Sequence, residues 1–505
     1  MSKKNKPHIV NSGYDNGGAS RDRKTLKTWT PSHYSAKSDI DKNLNLLRDR
    51  AYDLAINSAI GHAAISCLTT GTVGSGLKLF PRPNADVLGI STEQAREWSR
   101  ITKREFSLWA DNALACDFLR RNNFFELQRI AFASCLVDGD SFCLFKRRVP
   151  TSYSPYSLRL QLIEAMRVSN PLTEGAALST VEMKRGNHRI VNGIEVDSDG
   201  VLSAIWISNR IWNEFDSVNP ELTWQRVRWF GRDTGCRNLL HICTDTRPDQ
   251  YRGVPLLAPV IEPLKQISRY ADAELTSAII KSFFSIFFEQ PQQNLGFNQI
   301  VGDNEVAVDV SEYRLGPATM CALPRGVSVK AIDSSNAQST FDVFLSSFLK
   351  QIGAATGIPF EVLLHNFSSS YSASRAALLQ AADTFRIRRA AFVQDFCAPI
   401  YEQFLTEAIA LGRIKAEGFF DDPIKRKAWL NSEWFSENNR FIDPVKEAEG
   451  VRLRIALGLT TREKESAELC GVDFWENLSV LSEENKAMSN VMPQAETEGD
   501  LNGKS

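Results

Sequence analysis

Apolar residues recur at near-helical spacing through the first part of the chain. Residues 41–70 predict a helix, and a glycine-rich turn at 71–80 leads from it into a strand. Residues 91–115 predict a second amphipathic helix, and residues 124–137 predict a third that ends at the turn 138–140, Asp-Gly-Asp. The run SFCLFKRRV then follows as a strand.

Short alternating runs replace the helical pattern between about 155 and 245. The pair Asp199-Gly200 lies between the runs GIEVD and VLSAIWISN. An Asp-Gly pair between two alternating runs is typical of a β-hairpin turn. This part of the chain is therefore predicted to be mostly β.

The pattern becomes helical again after residue 254. Residues 260–289 predict one helix of about 30 residues, which would be roughly 45 Å long. Such a length is far above that of an average globular helix. Residues 291–333 predict short strands and turns, and residues 340–356 predict another helix.

A second very long helix is predicted over residues 372–411. Its apolar row advances by three, four or seven residues at a time, from Leu378 to Phe404. Pro399 lies inside this helix and predicts a kink near 395–399, because proline has no N–H to donate. Residues 420–485 predict a smaller helical end piece.

Composition narrows the class of protein. The 505 residues include 59 Lys or Arg and 60 Asp or Glu, which gives a formal net charge of -1. The chain therefore lacks the overall positive charge that would indicate nucleic-acid binding. The nine cysteines include no CxxC pair, which favours reduced thiols over disulfides or zinc sites. The most apolar stretch, Leu275–Phe288, is about 14 residues long and contains Lys281, so it is too short to span a bilayer.

The two ends of the chain have opposite charge. Residues 1–50 contain 11 Lys or Arg and 5 Asp or Glu, whereas residues 461–505 contain 4 and 10. Residues 1–40 are predicted to be a disordered basic arm, and residues 486–505 a disordered acidic tail. Both ends could be solvated tails, or they could contact a partner or another copy of the chain.

Motifs that would carry catalysis are weak. The segment GTVGSGLK resembles a phosphate-binding loop, but Leu77 separates its last glycine from Lys78, so a structural turn is favoured. Asp138 and Asp140 are close carboxylates that could bind a metal, yet an Asp-Gly turn that ends a helix explains them better. The sequence therefore predicts no catalytic, metal-binding or cofactor-binding residue and no enzyme.

An arginine set and a serine-rich loop remain as candidates for function. Arg375, Arg386 and Arg389 can share one face of the second long helix. Such a face is usually solvated or ion-paired, but around a passage formed by several copies it would become a ring of charge facing a polyanion. The loop before the helix could be an ordinary connection or could touch a passing molecule; its candidate residues are His365, Asn366, Phe367, Ser368, Ser369, Ser370 and Tyr371.

The ordered set of segments resembles the lambda-type family of tailed-bacteriophage portal proteins. The resemblance covers residues 40–415, and its segments include RDRAYDLAINSAIGHAAISCLTTGTVGSGLKLFP, LWADNALACDFLRRNNFFELQRIAFASCLVDGDSF, HICTDTRPDQYRGVPLLAPVIEPLKQISRYADAEL and FLKQIGAATGIPFEVLLHNFSSSYSASRAALLQ. No single segment is diagnostic, whereas their order is specific.

The resemblance implies a portal-type α+β fold. Its parts would be a mixed α/β wing (41–253), a first stem helix (254–289), a small β-containing clip (290–340), a second stem helix (341–356), a channel loop (357–371), a long kinked channel helix (372–411) and a helical crown (412–485).

The resemblance also implies function and partners. Copies of the chain, usually twelve, would form a ring at one capsid vertex of the virion, after assembly in the host cytoplasm. Double-stranded DNA would be packaged and ejected through the ring. Expected partners are the terminase large subunit, the major capsid protein and head–tail connector or adaptor proteins, with no cofactor and no membrane.

Two alternatives come from other classes. One is a nucleic-acid-processing metalloenzyme that uses the Asp138/Asp140 turn together with the arginine helix. The other is a membrane-associated pore built on Leu275–Phe288, against which the short span and Lys281 weigh.

Overall fold

The computed structural model describes most of the folded chain. The described residues are 24–151, 154–171, 182–211, 214, 221–282, 286–289, 328–331, 338–367, 370–436 and 444–491. They form a mixture of helices and antiparallel sheets. Three predicted segments lie largely or partly outside them: the basic arm as far as position 23, most of the clip, and the acidic tail after position 491.

Fifteen α-helices and twelve strands are found in the described residues. The helices are α1 (Leu44–Asn57), α2 (Ala59–Thr72), α3 (Ala85–Leu88), α4 (Thr92–Ala110), α5 (Ala113–Cys116), α6 (Phe124–Asp138), α7 (Ile261–Ser282), α8 (Gln338–Thr356), α9 (Phe360–Leu363), α10 (Tyr371–Phe392), α11 (Ala398–Ala410), α12 (Pro423–Trp429), α13 (Pro444–Ala456), α14 (Arg462–Cys470) and α15 (Phe474–Val491). The strands are β1 (Lys78–Pro81), β2 (Asp140–Arg147), β3 (Leu158–Ile163), β4 (Glu182–Arg185), β5 (His188–Val191), β6 (Ile194–Val196), β7 (Leu202–Ser208), β8 (Trp224–Arg228), β9 (Leu239–Cys243), β10 (Ile286–Glu289), β11 (Ser328–Ala331) and β12 (Ser432–Phe435).

The predicted helix over 41–70 is two helices. Ser58 is extended, with φ -99° and ψ 120°, and it separates α1 from α2. Its hydroxyl accepts a hydrogen bond from the backbone N–H of Gly61 at 3.3 Å. A serine in this position caps the second helix, and the uninterrupted apolar spacing concealed the break.

The strand-rich region forms two antiparallel sheets. In the three-stranded sheet β2 lies between β3 and β9, and β4 to β8 form a five-stranded meander. The predicted hairpin at Asp199-Gly200 is confirmed, because β6 and β7 pair on either side of it. A small core of buried apolar residues, among them Phe142, Ile194 and Ile205, includes side chains from both sheets.

The main core joins the wing helices to α11. Phe106 on α4 contacts Phe404 with ring centroids 5.1 Å apart, and Phe124 on α6 stacks on Phe396 at 6.0 Å. Trp109 is fully buried in the same cluster. These aromatic pairs connect positions that are far apart in sequence, so α4, α6 and the long helix over 371–410 form one packed unit.

The first stem helix is shorter than predicted. Helix α7 ends at Ser282, and Ile286–Glu289 instead pairs with Ser328–Ala331 as an antiparallel ladder. The sequence there is Ile-Phe-Phe-Glu, which suits a strand as well as a helix. The prediction of one helix through residue 289 is therefore wrong. Helix α8 packs on α7, with the rings of Tyr270 and Phe344 4.5 Å apart.

The second long helix is confirmed. The chain is helical from Tyr371 to Ala410, and a π-helical turn at Val393–Cys397 joins α10 to α11. This turn lies directly before Pro399, within the region where the sequence predicts a kink. Proline cannot donate to the helical ladder, and π-helical turns are a known site of helix irregularity.

The termini differ from the predicted boundaries. Ala36 and Ile40 are buried against Leu44, so the last residues of the predicted arm belong to the folded part. Residues 486–491 belong to α15, although the sequence placed them in a disordered tail. The C-terminal part is also not purely helical, because β12 pairs with β1 of the wing.

Candidate nucleic-acid interface

The predicted channel loop is partly packed and partly exposed. It begins at Gly357, which has φ +76°, and continues into α9, where Val362 and Leu363 are buried. His365, with φ +52°, Asn366 and Phe367 then lie on the surface. The side chains that could touch another molecule are thus grouped in the second half of the loop.

Helix α10 starts directly after this exposed segment. The Ser370 hydroxyl accepts a hydrogen bond from the Ala373 N–H at 3.4 Å and caps the helix, and Tyr371 is exposed. Ser368 and Ser369 lie outside the described residues. Phe367 and Tyr371 therefore place two aromatic rings on the surface at the start of the long helix.

The three candidate arginines do not behave alike. The side chains of Arg375 and Arg386 are exposed, and Arg386 pairs with Asp383 at 3.1 Å. Arg389 is half-buried and donates to the backbone carbonyls of Thr72 at 2.8 Å and Gly71 at 3.0 Å. It therefore satisfies the C-terminal carbonyls of α2, and the shared cationic face reduces to Arg375 and Arg386.

The close approach of α2 to α10 depends on Gly71. A Cβ atom at this position would lie 2.5 Å from the Phe385 ring. Only a glycine therefore allows the ring to lie against α2, and the same contact brings Arg389 to the end of that helix. Helix α10 is thus held against the end of α2.

The Asp138-Gly139-Asp140 turn contains a carboxylate that is fully buried and paired with two arginines. Asp140 is fully buried; Arg48 donates to Oδ1 at 2.7 Å and Arg252 to Oδ2 at 2.7 Å. The N–H of Gly253 donates to Oδ2 at 3.1 Å, and His241 Nε2 lies 3.3 Å from the same oxygen. Both oxygens are occupied by protein donors, so a metal would have to displace them.

Two arginines determine the ionisation of this site. Burial alone would raise the pKa of Asp140, but the guanidiniums of Arg252 and Arg48 outweigh it and hold the pKa well below its usual value. Burial lowers the pKa of Arg48 to about 10, assisted by the charge of Arg252. Asp140 is therefore held as the anionic partner of two arginines in a buried ion-pair network.

Arg252 also joins the strand-rich region to the segment that leads into α7. Its guanidinium donates to the carbonyls of Ala165 and Val168, both at 2.8 Å. Gly139 and Gly253 cross so closely that a Cβ on Gly253 would lie 1.8 Å from the Gly139 carbonyl oxygen. The network thus connects α1, the start of β2 and the segment that leads into α7.

The neighbouring Asp138 has a different environment. Burial raises its pKa to about 6, and the charge of Arg48 only partly opposes this effect. No group of three or more His, Cys, Asp or Glu in the described part of the chain is arranged to hold a metal ion. Sequence analysis singled out both aspartates, but it missed Arg48, Arg252 and His241, which are far from Asp140 along the chain.

Comparison with known proteins identifies the class. The chain matches the family described as "Phage portal protein, lambda family" over residues 22–389. It is 25% identical over 491 residues to portal protein B of Escherichia phage lambda, covering 92% of this chain and 87% of the relative. It is 24% identical over 486 residues to the portal protein of Escherichia phage N15, covering 92% and 88%.

Solved structures are similar as well. The neck of a native gene transfer agent particle, computed with C12 symmetry, aligns with a TM-score of 0.41 and 12% identity, covering 83% of this chain and 92% of that chain. The neck of an empty particle, computed with C6 symmetry, aligns with a TM-score of 0.42 at the same identity, covering 84% and 92%.

The family match spans most of the chain, so the class is that of phage portal proteins. The chain belongs to the lambda family of phage portal proteins. This family is structural, and its members are virion components that form ring assemblies in phage particles. In the described residues, every helix is too short or too polar to cross a bilayer.

Proposed function

We propose that copies of this chain, twelve in number, form a ring at one capsid vertex through which double-stranded DNA is packaged and ejected. Family membership supports this proposal. The single structural observation that carries it is the exposure of large apolar side chains along the stem and channel helices, namely Leu275 and Ile279 on α7, Val343 on α8, and Leu379 and Ile387 on α10. Apolar rows on long helices are costly in water and favour burial between copies.

The parts of the ring follow the sequence-based division. Residues 41–253 would form the wing, α7 and α8 the stem, the segment between them the clip, and α10 with α11 the channel helix. Residues 412–485 would form the crown, with β12 attached to the wing through β1. Gly71, Arg389 and the Asp140 network would keep the channel helix and the stem in fixed positions relative to the wing.

The proposed DNA-facing residues are the second half of the loop and the exposed arginines of α10. They are His365, Asn366, Phe367, Ser368, Ser369, Ser370, Tyr371, Arg375 and Arg386. Two exposed arginines per copy are few, and Arg386 is already paired with Asp383. Since each phosphate contact strengthens binding and its dependence on salt, a surface with few cations allows DNA to move along it.

The proposed partners follow from this position. The terminase large subunit would dock on the ring during packaging, and head–tail connector or adaptor proteins would replace it afterwards. The major capsid protein would surround the wing. The ring would assemble in the host cytoplasm and remain at the capsid vertex of the virion, without a cofactor and without a membrane.

A variant of α10 tests the ring contact. Ile387→Asp places a charge in the proposed contact between copies, and we expect ring assembly to fall at least tenfold in size-exclusion chromatography. Ala382→Asp is the matched control, because it adds the same charge at an exposed position on the face of Arg375. Rings that assemble equally well with Ile387→Asp would contradict the proposed contact.

A crosslinking experiment tests the DNA-facing assignment. A photo-reactive phenylalanine analogue at Phe367 should crosslink to DNA in heads stalled during packaging. The same analogue at Phe420, which is also exposed but lies outside the loop, should not. Equal crosslinking at both positions, or none at Phe367, would contradict the assignment of the loop to the channel.

A further inference from the structure

The last three helices bury little of their own apolar surface. Among the described residues from 444 to 489, only Glu465, Ala467 and Gly471 are buried. Nine large apolar side chains are exposed there: Val445, Leu453, Leu457, Leu459, Trp475, Leu478, Val480, Leu481 and Met488. A helical segment of this size normally has a core, so this one needs a cover from outside its own chain.

Polar contacts link these helices to one another and to the rest of the described chain. Arg454 on α13 forms a two-point ion pair with Glu465 on α14, at 2.8 and 3.0 Å. Arg82 after β1 pairs with Glu463. At the first turn of α15, the Arg96 guanidinium lies 4.0 Å from the Trp475 ring centroid. Arg96 thus partly covers the Trp475 ring, whereas the other eight apolar side chains remain exposed.

Part of the exposed apolar surface forms a stripe along α15. The residues Phe474, Leu478, Leu481, Asn485 and Met488 follow one another at intervals of four, three, four and three. This spacing puts them on one side of a helix, as in a helix that packs against another helix. We call these five residues the α15 stripe. Every described side chain of α15 from Trp475 onward is exposed, so the stripe is uncovered over most of its length.

A second apolar surface lies at the end of α13. Leu453, Leu457 and Leu459 are 52%, 72% and 73% exposed, and we call them the leucine patch. The helices that carry the two surfaces have opposite net charge. Helix α13 contains three Lys or Arg and two Glu, with Arg452 paired to Glu449 at 3.1 Å, whereas α15 contains three Glu and one Lys.

Rotational symmetry points to the occupant. In a closed ring each copy contacts the next through two different surfaces that fit each other. The chain offers two separate apolar surfaces in the same terminal segment, on helices of opposite net charge. Most of the stability of a helix in a protein comes from packing of its apolar face, and this face of α15 has no cover among the described residues. A second copy of this chain satisfies all of these conditions.

We propose that the leucine patch of one copy packs on the α15 stripe of the next copy, so that residues 444–491 form one continuous layer around the ring. This inference rests on the ring proposed above. The C-terminal helices then obtain their core from assembly. The backbone amides of these helices become fully protected from hydrogen exchange only when neighbouring copies are in place.

Hydrogen–deuterium exchange of assembled rings tests the layer. In wild-type rings, peptides from α15 should exchange at least tenfold more slowly than in rings of Leu481→Asp or Leu457→Asp. Ser479→Asp is the matched control, since it adds the same charge to α15 on the side away from the stripe, and its exchange should remain slow. Equal exchange rates in wild-type and Leu481→Asp rings would overturn the inference.

Crosslinking between differently tagged copies tests which surfaces meet. One protein carries Leu457→Cys, the other Leu481→Cys, and Cys236, Cys321 and Cys470 are serine in both. After co-assembly, a short bismaleimide should yield dimers that contain one copy of each protein. Dimers of the Leu481→Cys protein alone would instead mean that stripe packs on stripe, which overturns the inference. If no ring forms, the proposed function fails; if rings form without the mixed dimer, only this inference fails.

Discussion

At the scale of single residues, Asp140 holds together parts of the chain that are far apart in sequence. Arg48, His241 and Arg252 converge on it from α1, β9 and the entry to α7. The turn itself could be predicted, because an Asp-Gly pair after an apolar helix is a local signal. The three partners of Asp140 could not be predicted, because the position of an arginine in the sequence does not indicate which distant carboxylate it contacts.

Removing Arg252 should be among the most destabilising single changes in the wing. Arg252→Met leaves Asp140 buried with only one arginine and leaves the carbonyls of Ala165 and Val168 without their donor. Breaking a buried pair in this way costs about 3–5 kcal/mol, measurable as a fall in the free energy of unfolding in urea. Arg386→Met, which breaks an exposed pair, should cost less than about 0.5 kcal/mol. Similar losses for both variants would contradict the assigned role.

Asp138 should make the protein less stable at high pH. Because burial raises its pKa to about 6 from an unfolded value of 3.8, its contribution is fully present below pH 4 and is lost as the pH rises through 6. Asp138→Asn should therefore stabilise the protein by about 1–2 kcal/mol at pH 8 and have no effect at pH 4. Thermal unfolding between pH 4 and pH 8 measures this difference in stability, with the exposed Asp49→Asn as control. A pH-independent effect would contradict the assigned pKa.

At the scale of elements, periodic segments were predictable and their ends were not. The long helix over 372–411 and the hairpin at Asp199-Gly200 have local signals, and both are confirmed. The break at Ser58 depends on a cap within an unbroken apolar row, and the strand Ile286–Glu289 depends on a partner strand that is distant in sequence. The exposed half of the loop could be singled out by its serines and aromatics. The contact of Arg389 with the end of α2 could not be predicted, because it depends on the packing of two helices that are far apart in sequence.

The close contact between α2 and α10 predicts that alanine substitutions at two helical glycines change the stability of the protein in opposite directions. Gly71→Ala pushes a methyl group into the Phe385 ring and should destabilise the protein by about 1–3 kcal/mol. Gly450→Ala on α13 meets only the tip of Arg454, at 3.8 Å, and should stabilise its helix by about 0.5–1 kcal/mol. Thermal unfolding measures both. In the double variant Gly71→Ala/Phe385→Leu, part of the loss should be recovered; a strictly additive loss would contradict the contact.

At the scale of the whole molecule, the chain has a packed centre and long helices that expose apolar side chains. Phe106 and Phe404 bring the wing helices and α11 into one core, whereas Leu275, Val343 and Ile387 remain on the surface. A single copy therefore has a stable centre and incompletely covered helices, which is what a subunit of a larger assembly requires. Membership in the lambda family of portal proteins agrees with this arrangement.

The most direct test of the central claim is the mass and shape of the purified assembly. The claim is that α7, α8 and the α10–α11 helix pack against neighbouring copies to enclose a passage. Mass photometry should find a species with twelve times the 56.5 kDa mass of one chain, and negative-stain images of it should show a closed ring with a central hole. A protein that stays at 56.5 kDa under every assembly condition, without rings in the images, would contradict the account.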